Sequence, residues 1–432
     1  MNYTSAFINQ TCMFFGSRQK DKNIRHEGFV SALSGEGYDM IQEFHLPESI
    51  YHGTGSLEKL ADAAAGLGAH HLFIVVSSSV LSEPLNLSAR LKRLLEKENL
   101  GLTIYSGLKG EPTTEHVKEA VKRCLESQAD CVVAIGGGSV IDLAKAVTFF
   151  AVNPDRHYDE IHSLKKMKRL PLIAVPTTAG TGSEATKVMV ITDVESGTKM
   201  NPGHPGLIPD IAILDPELTV TLAQSYTAFT GMDALAHAME AYVSTRATEM
   251  SDYFALQAIQ LISKALPIAF NKGSDLEARE KMLLGSCFAG IAFSNSSTNL
   301  AHATGRALGA RFHMPHGLSV ALLLPFVIEY GIKASQERYA ILGKLLNPEA
   351  IGSEAETAQE TLKMVLDLND QFHIWEAGAD YINQTHEGVI PLLVENALAV
   401  NGILTNQEVP DCNDIDKIYQ KLFNKISEYS VC

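Results

Sequence analysis

The strongest constraint on the fold of this 432-residue chain is a change of hydrophobic pattern near residue 222. Before it, apolar runs alternate with stretches whose apolar residues recur every three or four positions. The runs are LFIVV (72–76), CVVAI (131–135), PLIAVP (171–176) and AILD (212–215). Buried strands separated by amphipathic helices indicate a mostly parallel sheet covered on both faces. Beyond it, helical patterns such as MDALAHAMEAYVS follow without strand-like runs. We therefore predict an α/β domain over 40–222 and an all-helical domain over 223–432.

Residues 1–39 lack this periodicity, and we interpret them as a flexible extension or as the product of an upstream start codon. The net charge of −15 disfavours binding to nucleic acid and to anionic membranes. No apolar run approaches the about 18 residues that span a bilayer, and no segment resembles a signal peptide. We therefore predict a cytoplasmic protein. The six cysteines include no C-x-x-C pair, which argues against a cysteine-based zinc site.

A glycine turn, Gly136-Gly137-Gly138-Ser139, follows the run CVVAI directly and leads into the helical pattern VIDLAKAVTFF. A turn between a strand and a helix presents free backbone N–H groups and the positive end of the helix, which suit a phosphate. The dinucleotide fingerprint G-x-G-x-x-G is not complete, because Ile141 stands where its last glycine would be. The segment is therefore either a phosphate-binding turn or a plain tight turn.

A second turn of small residues, Pro176 to Glu184, follows the run PLIAV and contains three threonines and a serine. Ligands of open α/β sheets bind at the carboxyl ends of the strands. A solvated Ser/Thr turn is the alternative. Two such turns in one sheet domain favour a dinucleotide.

One acidic residue and three histidines lie in apolar helical patterns of the second half. Asp233 and His237 are four residues apart and so share a helix face, His302 lies in LAHATGRALG, and His316 begins the following helical pattern. One carboxylate and three imidazoles suit Fe²⁺ or Zn²⁺. Alternatively, each histidine is a hydrogen-bonded core residue and Asp233 a helix cap. The spacing alone does not tell which histidines converge.

Several of these segments together closely resemble the iron-containing alcohol dehydrogenase family. They are YHGTGSLEKL, GGGSVIDLAKA, PTTAGTGSE, IPDIAILDPELT, GMDALAHAMEAYVS and LAHATGRALGARFHMPHG, and the resemblance covers about residues 40–430. It implies a dehydroquinate synthase-like fold, with an N-terminal dinucleotide-binding α/β domain and an all-α metal-binding domain. It also implies an NAD- or NADP-linked alcohol dehydrogenase or aldehyde reductase that acts on a small alcohol or aldehyde, and a homo-oligomer.

The resemblance also implies roles for individual residues. The metal ligands, for Fe²⁺ or alternatively Zn²⁺, would be Asp233, His237, His302 and His316. The cofactor would be bound at the turns and strand ends, by Ser77, Gly137, Gly138, Ser139, Asp142, Thr177, Thr178, Thr181, Lys199 and Leu214.

Two positions depart from the family's pattern. Many NAD-using relatives have an aspartate after the strand equivalent to LFIVV, and this chain has Ser77-Ser78-Ser79 there. The 2′-phosphate of NADP would then meet no negative charge, so NADP can be accepted.

Arg306 stands where many relatives have a histidine near the nicotinamide. A guanidinium is always charged and well shaped to hold a carboxylate, phosphonate or sulfonate. We therefore predict that Arg306 belongs to the catalytic group and binds an anionic substrate, unless it pairs with cofactor phosphate or a neighbouring carboxylate.

Two competing functions remain at this point. The first is another enzyme on the same scaffold, a polyol-phosphate dehydrogenase or a sugar-phosphate cyclising lyase. The second, more remote, is a nucleotide-binding module that has lost catalysis.

Overall fold

A computed structural model describes residues 41–82, 84–382 and 388–429. The segment 1–39, which we interpret as an extension, lies outside the described residues.

A six-stranded parallel sheet forms the centre of the N-terminal half, with strand order β1-β8-β5-β4-β2-β3. A separate antiparallel pair, β6 with β7, lies outside it. The strands are β1 (Ser49–His52), β2 (His71–Val76), β3 (Gly101–Tyr105), β4 (Cys131–Gly136), β5 (Leu172–Pro176), β6 (Ile191–Thr192), β7 (Lys199–Met200) and β8 (Ile211–Leu214).

Five helices connect these strands: α1 (Leu60–Gly66), α2 (Ser78–Leu81), α3 (Leu87–Glu96), α4 (Thr114–Glu126) and α5 (Gly138–Phe150). Successive residues of the central strands enter two different hydrophobic cores, one on each face of the sheet. In β2, for example, Leu72 and Ile74 belong to one core, whereas Phe73 and Val75 belong to the other. Because the central strands are buried on both faces of the sheet, their sequences are uninterrupted apolar runs.

Ten helices follow the sheet, and the described residues beyond Leu214 contain no strand. They are α6 (Gln224–Val243), α7 (Glu249–Asn271), α8 (Leu276–Asn295), α9 (Leu300–Phe312), α10 (His316–Gly331), α11 (Gln336–Leu346), α12 (Glu354–Gln371), α13 (Ile374–Tyr381), α14 (Ile390–Leu398) and α15 (Cys412–Ser427). The predicted fold class, a parallel α/β half followed by an all-helical half, is confirmed.

The four predicted strands correspond to β2, β4, β5 and β8, the inner strands of the sheet. The sequence pattern did not reveal the edge strands β1 and β3 or the short pair β6–β7. Residues of β1 are mostly exposed and those of β3 mostly part-exposed, and strands of this kind lack the continuous apolar run of a central strand.

Helix α7 is the one described helix that is long and apolar enough to cross a membrane by length and composition. Its apolar residues, among them Ile259, Ile262 and Leu266, are buried in the hydrophobic core of the helical half. Core helices pass the same test, so α7 is weak evidence for a membrane span.

Candidate active site

Helix α6 carries three polar side chains on one buried face. Asp233, His237 and Glu240 are each about 2–5% exposed, among residues that are mostly Ala, Leu and Met. Spacings of four and three residues place them in a row along the helix. Asp233 lies in the middle of α6, so it is not a helix cap. Polar groups buried in this way are costly unless they are paired or bind a cation.

Two further histidines approach this row from other helices. His302 lies in the first turn of α9, and its Nε2 is 3.4 Å from Asp233 Oδ1. His316 is the first residue of α10, as predicted, and its Nε2 is 3.8 Å from the same oxygen. The side chain of His316 is 38% exposed, whereas that of His302 is 7% exposed. His316 therefore lies on the open side of the group.

Three potential ligand atoms in this group are buried and accept or donate no hydrogen bond within the part of the chain that the structure describes: Asp233 Oδ1, His237 Nδ1 and His302 Nε2. Asp233, His237 and His302 can each present a ligand atom so that all three lie within 4.8 Å of one another. Buried polar atoms are almost always hydrogen-bonded, so several unpartnered atoms at one point need an explanation. A carboxylate oxygen with imidazole nitrogens is a donor set that fits Fe²⁺ or Zn²⁺.

The orientation of His302 is fixed by Glu240. Oε2 of Glu240 accepts a hydrogen bond from His302 Nδ1 at 2.5 Å, and Oε1 accepts one from the backbone N–H of Ala301 at 2.5 Å. With Nδ1 donating to Glu240, Nε2 is the ring nitrogen that faces Asp233 and that can bind a metal ion once it has lost its proton. A carboxylate behind the ligating histidine is the usual outer shell of a metal site.

The electrostatics of the group suit metal ligation. Burial, with repulsion from His302, lowers the pKa of His237 to about 3. Burial also lowers the pKa of His316 to about 4, against the attraction of Asp233. Burial opposes ionisation of Asp233, but its histidine neighbours outweigh it and hold the pKa of Asp233 well below its usual value. Burial opposes protonation of His302, but attraction by Glu240 and Asp233 outweighs it and raises the pKa of His302 to about 9. Near pH 7, Asp233 is therefore ionised and His237 and His316 are neutral, as metal ligands must be, whereas His302 carries a second ring proton that a metal ion must displace.

The two turns predicted to bind a nucleotide lie side by side at the carboxyl edge of the sheet. The glycine turn joins β4 to α5, and the second turn follows β5, the neighbouring strand. A Cβ atom at Gly138 would lie 2.7 Å from the side chain of Thr181, and one at Gly137 would lie 3.3 Å from Thr178 Oγ1. The absence of side chains at these glycines therefore lets the turns touch, beneath the N-terminus of a 13-residue helix.

A buried polar network fastens the two turns together. Ser183 Oγ donates to Asp142 Oδ1 at 2.6 Å, and the backbone N–H of Val190 donates to Asp142 Oδ2 at 2.9 Å. The fully buried Lys145 donates to Ser183 Oγ at 2.9 Å and to Thr186 Oγ1 at 2.9 Å. Both oxygens of Asp142 thus have protein partners, so its carboxylate holds the turns in place.

The second turn also packs against α6, which carries Asp233 and His237, and against the neighbouring helix α8. Gly182 has a positive φ of 60°, and a Cβ there would lie 2.6 Å from Cα of Gly290 in α8. A Cβ at Gly180 would lie 2.8 Å from Cβ of Thr230 in α6. These contacts bring the nucleotide-type turns and the Asp–His group to one place.

The remaining predicted site residues lie at the same edge or beside it. Ser77 follows β2, and its hydroxyl is 2.8 Å from that of Ser79. Leu214 ends β8 and is buried. Lys199 begins β7, forms an ion pair with Glu111 at 2.7 Å, and its carbonyl oxygen accepts a hydrogen bond from Arg306. The glycine turn follows β4, and β5 lies between β4 and β8 in the sheet, so Leu214 at the end of β8 is two strands away from the glycine turn.

Sequence reasoning missed Glu240 and Lys145. Glu240 is three residues after His237 on an otherwise apolar helix, and a charge in that context requires a partner. That signal was available in GMDALAHAMEAYVS. Lys145 gave a similar signal within an apolar helix, but its partners come from a distant segment.

Family models and individual proteins match this chain over most of its length. The model described as iron-containing alcohol dehydrogenase matches residues 47–216, and the model of the C-terminal domain of the Fe-containing alcohol dehydrogenase family matches residues 227–423. The probable alcohol dehydrogenase EutG of Escherichia coli is 44% identical over 307 residues, which cover 71% of this chain and 77% of that protein.

Two relatives of known cofactor are similar over longer stretches. An NADPH-dependent butanol dehydrogenase of Clostridium saccharobutylicum is 31% identical, covering 89% of this chain and 98% of the relative. An NAD-dependent methanol dehydrogenase of Bacillus methanolicus is 34% identical, covering 88% and 99%.

A solved structure has the same fold. The crystal structure of a 1,3-propanediol oxidoreductase superposes with a TM-score of 0.84 at 29% identity, covering 89% of this chain and 100% of that one. These matches favour alcohol dehydrogenase chemistry over the polyol-phosphate dehydrogenase and the cyclising lyase. The chain is a metal-dependent, NAD(P)-linked alcohol dehydrogenase or aldehyde reductase and belongs to the iron-containing alcohol dehydrogenase family.

Proposed function

We propose that Asp233, His237, His302 and His316 hold one Fe²⁺ ion, or Zn²⁺, at which an aldehyde and its alcohol are interconverted. The observation that carries this proposal is the set of buried, unpartnered ligand atoms of the first three residues, which meet beside the nucleotide-type turns. The ion, when bound, supplies Lewis acidity toward the oxygen of the substrate. His316, the most exposed of the four, lies on the side from which substrate enters.

The cofactor is bound at the two turns. Backbone N–H groups at Gly137, Gly138 and Ser139 would bind the pyrophosphate, because they lie at the positive N-terminal end of α5. The two glycines carry no Cβ that would crowd the neighbouring turn. The nicotinamide would be held on the side of the helical half by residues of the second turn and of the strands beside it: Thr177, Thr178, Thr181, Lys199 and Leu214. Asp142 positions these turns through Ser183.

Hydride transfer requires the nicotinamide and the substrate carbon to be held in contact and in the correct orientation. The packing of Gly180 against Thr230 fixes the second turn relative to α6, which carries Asp233 and His237. The packing of Gly182 against Gly290 fixes it relative to α8. Glu240 fixes the ring of His302. These residues contribute by positioning, without taking part in bond making.

The adenosine end of the cofactor meets Ser77 and its neighbours. The hydroxyls of Ser77 and Ser79 are donors and acceptors without charge, so a 2′-phosphate is not repelled there. We therefore include NADP as well as NAD as a cofactor. Ser77→Asp tests this assignment, as set out in the Discussion.

The chain is organised in two domains, and the protein assembles with copies of itself. The α/β domain ends near residue 222, between β8 and α6, and the helical domain begins at about residue 223. The enzyme acts in the cytoplasm as a homo-oligomer and binds neither nucleic acid nor membrane, in keeping with its net charge of −15.

A metal-defined assay tests the function. Protein stripped of metal and reloaded with Fe²⁺ or Zn²⁺ is given a short aldehyde with NADH or NADPH, and absorbance at the nicotinamide band is followed. We expect turnover only in the reloaded protein, and loss of metal binding in Asp233→Asn as judged by metal content. Equal turnover by stripped and reloaded protein would reject the proposal.

A further inference from the structure

Arg306 is a part-buried cation beside the ligand group. It lies on α9, four residues after His302, and therefore one turn further along the same face. Its Nη2 donates to the carbonyl oxygen of Lys199 at 3.3 Å. Among residues 41–82, 84–382 and 388–429, no carboxylate lies within 4.0 Å of its guanidinium, since no ion pair of Arg306 is found.

Arg306 shares its nearest acidic group with a second cation. Lys199, whose backbone Arg306 contacts, forms an ion pair with Glu111 at 2.7 Å. Glu111 is also the acidic group whose field acts on Arg306, so one carboxylate faces two cations. The charges of both cations lower the pKa of His316, the most exposed of the four proposed ligand residues. We call Arg306 with Lys199 the cationic face.

A guanidinium in such a position favours a ligand with a planar or trigonal group of anionic oxygens. Arginine remains charged even when burial lowers its pKa, as it does here. Its N–H donors form a fork that binds two oxygens of one group, and such charge-assisted hydrogen bonds are among the strong ones. Here a single bond to a backbone carbonyl leaves most of these donors available.

We propose that the substrates are short aldehydes, and the corresponding alcohols, that carry a second and anionic group: a carboxylate, sulfonate or phosphonate that binds Arg306. This inference rests on the proposed function and adds the substrate class to it. In the reductive direction, hydride passes from C4 of NAD(P)H to the carbonyl carbon, and a proton from water is added to the carbonyl oxygen. The products are the alcohol and NAD(P)⁺, and the anionic group is unchanged.

Paired substrates and two matched variants test the proposal. Metal-loaded protein is assayed with glyoxylate against acetaldehyde, and with succinic semialdehyde against butanal. Arg306→Gln removes the guanidinium. Arg311→Gln is the matched control, because it removes the same charge from the exposed end of the same helix, where the guanidinium contacts Phe312.

We expect wild type to prefer at least one anion to its neutral partner in kcat/KM. In Arg306→Gln this selectivity ratio falls by about 10- to 100-fold, the range of a charge-assisted hydrogen bond, whereas Arg311→Gln keeps it. A binding measurement without turnover gives a second readout. Propane-1-sulfonate, an unreactive anion and a poor metal ligand, inhibits wild type competitively with aldehyde, and its inhibition constant rises at least 10-fold in Arg306→Gln.

The failures can be told apart. If wild type reduces butanal but shows no preference for either anion, the substrate class is wrong and the proposed function stands. Equal losses on charged and neutral aldehydes in Arg306→Gln, with a raised KM for the cofactor, assign Arg306 to the cofactor and overturn the inference. If metal-loaded wild type reduces none of the four aldehydes, the proposed function fails and the inference falls with it.

Discussion

Glu240→Gln tests whether the carboxylate behind His302 determines metal binding. The two oxygens of Glu240 accept from two different donors, Ala301 N–H and His302 Nδ1–H, each at 2.5 Å. Glutamine is almost the same shape but has one acceptor and one NH₂ donor. Whichever way its amide is turned, its NH₂ group therefore faces a nitrogen that donates in the wild type, in a site that is about 2% exposed.

The size of the effect follows from these contacts. If the amide oxygen faces Ala301, the NH₂ group faces His302 Nδ1, and the histidine must place its proton on Nε2, the atom directed at Asp233. If the amide is turned over, the N–H of Ala301 is left unpaired. A buried donor without a partner costs about 1–3 kcal/mol. We therefore expect Glu240→Gln to weaken metal binding by about 10- to 100-fold, as outer-shell substitutions commonly do.

Metal affinity is measured by competition with a chromophoric chelator, and thermal unfolding is measured with and without metal. Glu337→Gln, the same substitution at an exposed position of α11, is the control and should change neither quantity. An unchanged metal affinity in Glu240→Gln would refute the reasoning. An equal loss of thermal stability in metal-free and metal-loaded protein would show that Glu240 supports the fold and has no special role toward the ion.

Three further predictions concern the ion and the turns. Chelation should lower the melting temperature, because an ion at 100 times its Kd stabilises the folded state by about 2.7 kcal/mol; unchanged calorimetric melting would contradict the site. Gly182→Ala should destabilise the protein by about 1–3 kcal/mol in denaturant unfolding and raise the KM for cofactor, because its Cβ would meet Gly290 at a positive φ. Wild-type values of both would show that the turn tolerates displacement. Ser77→Asp should shift the ratio of kcat/KM for NADH over NADPH at least 10-fold toward NADH through repulsion of the 2′-phosphate; an unshifted ratio would place the adenosine ribose elsewhere.

Local sequence pattern predicted much of the fold. The inner strands β2, β4, β5 and β8 were readable because burial on both faces demands continuous apolar runs. The edge strands β1 and β3 were not, because part-exposed strands lack that run. The start of α10 at His316 followed from the change of pattern after the MP dipeptide.

The site was predictable only in part. The spacing of Asp233 and His237 placed both on one face of α6, since helical geometry fixes which side chains are neighbours along the chain. Nothing in the spacing stated that His302 and His316 would approach the same oxygen of Asp233 from two other helices. The sequence did not decide whether Arg306 pairs with an acidic residue. Among the described residues, the structure shows no carboxylate within ion-pair distance, and Arg306 donates to a backbone carbonyl oxygen.

Some features can be read from the sequence and others cannot, because the interactions that determine them act over different distances along the chain. The alternation of polar and apolar residues decides, within one helix or strand, which side chains must leave water, and so it can be read from the sequence. Which buried faces meet is decided by the packing of elements far apart in the chain, such as Gly182 against Gly290 and Glu240 against His302. The sequence thus determined the residues available for chemistry, and the tertiary structure decided which of them lie within bonding distance.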